Sequence, residues 1–232
     1  MEKKDDVVPI TGFSCWALGY LDEGYRRIGC MLHPAQNSGI DLRYRVHYGD
    51  KCRREICPEA KEFLKLNREA REFWINLAYG LDSFSYSSRK VNPLFKLMGW
   101  GAKVLSAIAQ NEKGTIFTNN SFFGAYPFFL CDLKPRAFSY LLSWIVTEKG
   151  IDLLRTGPFR AKFEKLVSLL FNELSRSIQD LPCDLDTPYT HLLDLDPDFL
   201  NFIRLGLGIP KINITMASDL KKDVDRILKN FI

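Results

Sequence analysis

Four of the six cysteines of this 232-residue chain, Cys15, Cys30, Cys52 and Cys57, fall within residues 15–57, together with His33 and His47, two of its three histidines. From Pro58 to Ile232 only Cys131, Cys183 and His191 remain. Thiolate and imidazole are the donors that zinc and iron–sulfur clusters take. The crowding therefore predicts a small metal knot, organised around a site more than around a conventional apolar core.

Ligands are assembled more readily when they come in pairs on tight turns, because each pair lowers the entropy of gathering the rest. Cys30-Met31-Leu32-His33 and Cys52 to Cys57 are such pairs. Between Cys15 and Cys30, two short apolar pieces flank Asp22-Glu23-Gly24, which suits a hairpin turn that returns Cys30 towards Cys15. The soft set Cys15, Cys30, Cys52 and Cys57 would complete a four-thiolate shell, and His33 in place of one cysteine would give Cys3His. Residues 35–51 are irregular, and a loop of that length needs something to hold it, a metal being one candidate.

Helical grammar takes over at Pro58, a helix-starting proline with Cys57 as the expected N-cap. Phe63, Leu66, Ala70, Phe73, Leu77 and Leu81 recur at helical spacing and predict one buried face along a single helix. A second helix is expected after Asn92-Pro93 with Leu94, Leu97, Met98, Gly101, Leu105 and Ile108 inward; Gly99 and Gly101 weaken it and suggest close packing. Residues 114–131 break the rhythm, with Asn119-Asn120-Ser121 read as a turn. Helices then follow from Pro135 to Gly150, from Pro158 to about Ile178, over Pro197–Leu205, and over Ser218–Phe231 with Ser218 as N-cap. Residues 180–198 read as a connector. The expected fold is mainly α: a helical body over residues 58–232 packed with a small, irregular Cys-rich module over residues 1–57 that carries one β-hairpin.

The pieces Cys15-Trp16-Ala17-Leu18, Cys30-Met31-Leu32-His33-Pro34 and Cys52-Arg53 resemble the later half of the zinc- or iron-chelating cysteine-cluster domain family. In that family a Cys-Pro-Phe-Leu piece precedes a Cys-x-Ile-Tyr/His piece and a Pro-x2-Cys-Arg piece. The resemblance covers residues 15–57 and implies that Cys15, Cys30 and Cys52 are ligands; Cys57 joins them on spacing alone.

Composition narrows the remaining classes. Hydrophobic content of 46% and aromatic content of 13% belong to a packed protein. The first residues hold no apolar run of signal-peptide type, and the longest apolar stretch, Phe122 to Cys131 with Pro127 inside it, is too short to cross a bilayer. A cytoplasmic protein with no membrane partner is expected, where clustered thiols bind metal; in a secreted one, six cysteines would make three disulfides. Arg43, Arg45, Lys51, Arg53 and Arg54 form a basic cluster beside Tyr44 and Tyr48, but Asp41, Asp50 and Glu55 dilute it, so nucleic acid is not an expected partner.

Asp194, Asp196 and Asp198 have the opening spacing of a calcium loop. Phe199 stands where its glycine should be and Leu205 where its glutamate should be, so helix capping is the better reading. Walker, Gly-x-Gly-x2-Gly and His-Glu-x2-His motifs are missing. The leading expectation is a cytoplasmic metal-binding protein, with zinc or an iron–sulfur cluster in a structural, redox or metal-handling role. Second comes a protein-interaction or nucleic-acid-binding module stapled by zinc. An enzyme using Cys57 with His33 or His47 comes third, because no oxyanion-forming glycine motif accompanies the pair.

Overall fold

The computed structural model describes residues 17–24, 28–49, 58–82, 85–86, 88–179 and 187–231. Among them the chain is mainly α-helical, with one two-stranded antiparallel sheet. Strands β1 (Leu18–Tyr20) and β2 (Ile28–Cys30) pair Leu18 with Cys30, Gly19 with Gly29 and Tyr20 with Ile28. This is the expected hairpin; residues 25–27, where the apolar text suggests that its second strand starts, lie outside the described residues.

The expected single helix from Pro58 to Leu81 is two helices, α1 (Pro58–Lys65) and α2 (Arg68–Ile75), followed by a 3-10 turn at Asn76–Ala78. Asn67 makes the break. Its backbone is extended and its side chain accepts from Ala70 N–H at 2.8 Å, which starts a new helix. Arg71 ties off the preceding turn, donating from Nε to the Leu66 carbonyl at 2.7 Å and from Nη2 to that of Leu64 at 3.0 Å. The apolar period survives because Leu66, Ala70, Trp74 and Leu77 still face one core.

The second expected helix is likewise divided, into α3 (Pro93–Met98) and α4 (Ala102–Asn111). Gly101 has φ +90°, a conformation that disfavours any side chain, and it N-caps α4. A Cβ on Gly99 would lie 2.9 Å from Cβ of Pro135, so glycine here allows close approach, as the sequence suggested. Glu62 of α1 accepts from the Ala102 N–H at 3.0 Å and supplies the cap that glycine cannot.

Residues 119–121, expected as a turn, are the first turn of α5 (Asn119–Ala125). Thr118 and Ser121 form a reciprocal capping box that makes a helix out of turn-forming residues. A 3-10 turn at Pro127–Leu130 follows and buries Phe128 and Phe129. Helices α6 (Pro135–Lys149) and α7 (Gly157–Gln179) agree with the sequence expectation, and Gly150 ends α6.

Helix α8 (Pro197–Asn201) is shorter than expected and passes into one π turn at Phe202–Gly206. Helix α9 (Ile214–Phe231) begins ahead of Ser218: Asn213 accepts from Met216 N–H at 2.8 Å, and Ser218 Oγ donates back to the Ile214 carbonyl at 2.7 Å. Ser218 is therefore an interior residue, and Asn213 caps the helix.

The core is one continuous apolar cluster from Leu66 to Leu228. Trp74, Trp100, Tyr126, Phe122, Phe128 and Phe129 are among its largest fully buried rings. Each contributes on the order of 2–3 kcal/mol through burial. Trp74 Nε1–H donates to the Leu105 carbonyl at 3.1 Å and so pins α2 to α4. Helix α6 packs against α8 and the π turn, and α7 packs against α9.

Candidate metal centre

The hairpin brings Cys30 to the end of β2, where the ladder goes one step further: Met31 N–H donates to the Ala17 carbonyl at 2.9 Å. Ala17 is buried. By strand alternation Cys30 shares a face with Tyr20, whose hydroxyl donates to the Leu81 carbonyl at 2.9 Å and so turns towards the helical body. Cys30 is half-buried and its thiol is free. The chain then turns back, with His33 N–H donating to the Cys30 carbonyl at 3.1 Å, which places the two candidate ligands on one tight turn.

His33 is exposed and caps the 3-10 turn Pro34–Gln36. Its Nδ1 accepts from Ala35 N–H at 3.2 Å, so in the neutral ring the proton sits on Nε2. Metal ligation through Nε2 would require that proton to move to Nδ1, which removes the cap. The exchange costs about 1 kcal/mol, small beside the ~10–16 kcal/mol that a structural zinc site contributes. His33 can serve in either role.

Within the described part of the irregular loop, hydrogen bonds join its successive turns. Asn37 Nδ2 donates to the carbonyls of Met31 at 2.8 Å and His33 at 2.9 Å. Leu42 N–H reaches the Leu32 carbonyl at 3.2 Å, and the N–H groups of Tyr48 and Gly49 both reach the Arg43 carbonyl. A second 3-10 turn occupies Tyr44–Val46 and ends at His47, an exposed residue at φ +58°.

Of the five predicted ligands the structure places Cys30 and His33; Cys15, Cys52 and Cys57 lie outside the described residues. Among the described residues no group of three His, Cys, Asp or Glu side chains is arranged to hold a metal ion. The Cys57 pairing with His33 or His47 also falls outside. Lys51, Arg53 and Arg54 of the basic cluster do so too. Arg43 is clasped by Asp41, with Nε to Oδ1 at 2.8 Å and Nη2 to Oδ2 at 2.5 Å. That guanidinium holds the Asp41 carboxyl below its ordinary range. The calcium-like spacing is a helix cap, since Asp196 Oδ1 accepts from Asp198 N–H at 2.8 Å and Phe199 N–H at 3.2 Å.

Three features of the body were not legible in the sequence. Buried Glu112 pairs with Arg155 and accepts from Tyr126 Oη at 2.5 Å, while the Arg155 guanidinium lies 4.9 Å from the Tyr126 ring centre. Tyr140 Oη donates to Asp225 Oδ1 at 2.5 Å and Lys221 Nζ to Asp225 Oδ2 at 2.7 Å. Burial, then the bond to the Asp225 carboxylate, pushes the Tyr140 hydroxyl up to about 12. These two clusters are internal ties. The third feature is an open groove of about 480 Å³ between residues 76–81 and 116–120. Leu77, Leu81 and Phe117 line it, and Tyr79 and Ile116 stand beside it 90% and 83% exposed. Its two walls are some forty positions apart in the chain, so no local pattern announces it.

No helix among the described residues is long and apolar enough to cross a membrane. Comparison with known protein families, with curated proteins and with solved structures finds no match to this chain.

Proposed function

We propose that residues 15–57 form a metal-binding module in which Cys15, Cys30, Cys52 and Cys57 hold a zinc ion or an iron–sulfur cluster, with His33 as the alternative fourth donor. The observation that carries the reading is the Cys30–His33 turn: a free, half-buried thiol and an exposed imidazole held by one hydrogen-bonded turn at the end of a hairpin. The donor chemistry fits. Cys30 needs only to lose its thiol proton, and His33 needs only to surrender an exposed cap. Cys15 stands two residues ahead of Ala17, within about 7 Å of it along the chain, and Ala17 is bonded across the hairpin to Met31 beside Cys30.

When bound, zinc would tie the module together, and an iron–sulfur cluster would add one-electron chemistry. A cytoplasmic location belongs to the same reading, because the thiols must stay reduced to bind metal. The test is purification without oxygen, followed by quantitative metal analysis and a visible absorption spectrum. Stoichiometric zinc in a colourless protein, or iron with sulfide in a brown one, supports the reading and assigns the metal. Protein free of both, and unable to take up either when it is supplied, refutes it.

A further inference from the structure

We propose that the groove beside Tyr79 and Ile116 binds an uncharged, proline-rich segment of a partner protein, held in the polyproline II conformation. Fixed elements present both walls. Tyr79 N–H donates to the Asn76 carbonyl and Leu81 N–H to the Ala78 carbonyl, both at 3.2 Å, while the Leu81 carbonyl accepts from Tyr20 Oη. Gly80 between them has φ +84°, so the chain turns sharply there and the Tyr79 ring stands out into solvent. On the other wall the Phe117 ring packs edge-on against Phe73 and Phe122, with centres 6.0 and 5.7 Å apart, next to exposed Ile116. The walls are thus formed before a partner arrives, which lowers the ordering cost of binding.

Charge and backbone chemistry define the occupant. Among the described residues no Asp, Glu, Lys or Arg lines the groove. A charged segment would therefore be desolvated there without a counter-charge. The side-chain amides of Asn76 on one wall and of Asn119 and Asn120 on the other make no hydrogen bond with any described residue. A helical ligand uses its own carbonyls internally, so it would cover these amides without bonding them. Addition of a β-strand needs an extended edge to pair with. The described walls offer the 3-10 turn Asn76–Ala78, the loop after α4 and the start of α5 instead.

A polyproline II segment meets each condition. It makes no internal hydrogen bonds, so its carbonyls stay open to the Nδ2 donors of the three asparagines. Its prolines carry no charge and no N–H that the groove would have to satisfy. Tyr79, Ile116 and Phe117 form the aromatic and apolar surface on which such segments dock. The segment is already extended when free, so little entropy is lost on binding. Metal binding at Cys30 plays no part in this docking.

The test titrates an uncharged oligoproline with blocked ends into the isotope-labelled full chain and follows the backbone amide shifts. Saturable shifts are expected at Tyr79, Gly80, Ile116 and Asn119, with the Kd raised about tenfold in Tyr79→Ala and in Ile116→Asp. Both side chains are exposed, so each variant keeps the fold, and the amide spectrum away from the groove verifies it. No saturation, shifts gathered elsewhere, a Kd unmoved by either change, or equal binding of an uncharged helical peptide would each overturn the assignment. So would concentration-dependent shifts at the same amides without peptide, which would mean that a second copy covers this face.

Discussion

The hydroxyl of Tyr20 donates to the carbonyl of Leu81 at 2.9 Å, across 61 positions of the chain. It joins the hairpin that carries Cys30 to the segment that follows α2 and its 3-10 turn. Tyr20→Phe keeps the ring and removes the bond, with an expected loss of about 1 kcal/mol. Hydrogen exchange should quicken at Met31 N–H, which closes the hairpin onto Ala17, while the amides of α6 keep their protection. Unchanged exchange at Met31 would mean that the hairpin is held by other contacts.

Asn67 divides what periodicity reads as one helix. Asn67→Ala should destabilise the chain by about 1 kcal/mol, since the Ala70 N–H loses its acceptor, and Asn67→Asp should retain most of the stability. Urea denaturation of the three proteins, with equal slopes, makes the comparison. An alanine variant as stable as the parent would show that Arg71 alone holds the break.

These breaks explain how far the fold could be read in the sequence. The span Pro135 to Gly150 was legible because a helix-starting proline, a helical apolar period and a stopping glycine agree within it. At Asn67, at Gly99–Gly101 and at Thr118–Ser121 the period runs on or fades, and one side-chain-to-backbone bond or one special backbone angle decides the outcome. Apolar spacing does not encode that decision. At the candidate site the hairpin and the Cys30–His33 turn were legible, since turn residues and short spacing specify them locally. The capping role of His33 was not, because the same imidazole can hold a turn or a metal. The groove at Tyr79 was hidden for a different reason, since it exists only when distant segments pack.

Glycine positions differ in what they tolerate. Gly99→Ala would drive a methyl group against the Pro135 ring at the start of α6, where neither backbone can yield easily, and about 1–3 kcal/mol of destabilisation is expected. Gly19→Ala meets the Met31 side chain, whose thioether can swing away, so thermal denaturation should show little loss. Equal losses at both positions would contradict the close packing of α3 on α6.

Tyr140 predicts a defined alkaline sensitivity. Its hydroxyl ionises near 10 in the unfolded chain and at about 12 in the folded one, through burial and then the Asp225 carboxylate. A raised folded value stabilises the native state fully below pH 10, and that contribution is lost as pH rises through 12. On the order of 2 kcal/mol should disappear across this window. Tyr140→Phe should flatten that part of the profile, measured by denaturant unfolding at stepped pH; an unaltered profile would show that the tie to Asp225 contributes nothing there.

The metal-to-protein ratio of the parent chain and of Cys30→Ser, both purified without oxygen, bears most directly on the proposed module. Removing one soft donor from a four-ligand shell should cost the site most of its affinity. The expected result is a stoichiometric metal in the parent and a clear loss in Cys30→Ser, with the helical circular dichroism of both alike, because the helices bury their own apolar faces. A parent chain that binds neither zinc nor an iron–sulfur cluster, or a Cys30→Ser protein that keeps the full complement, would contradict the account.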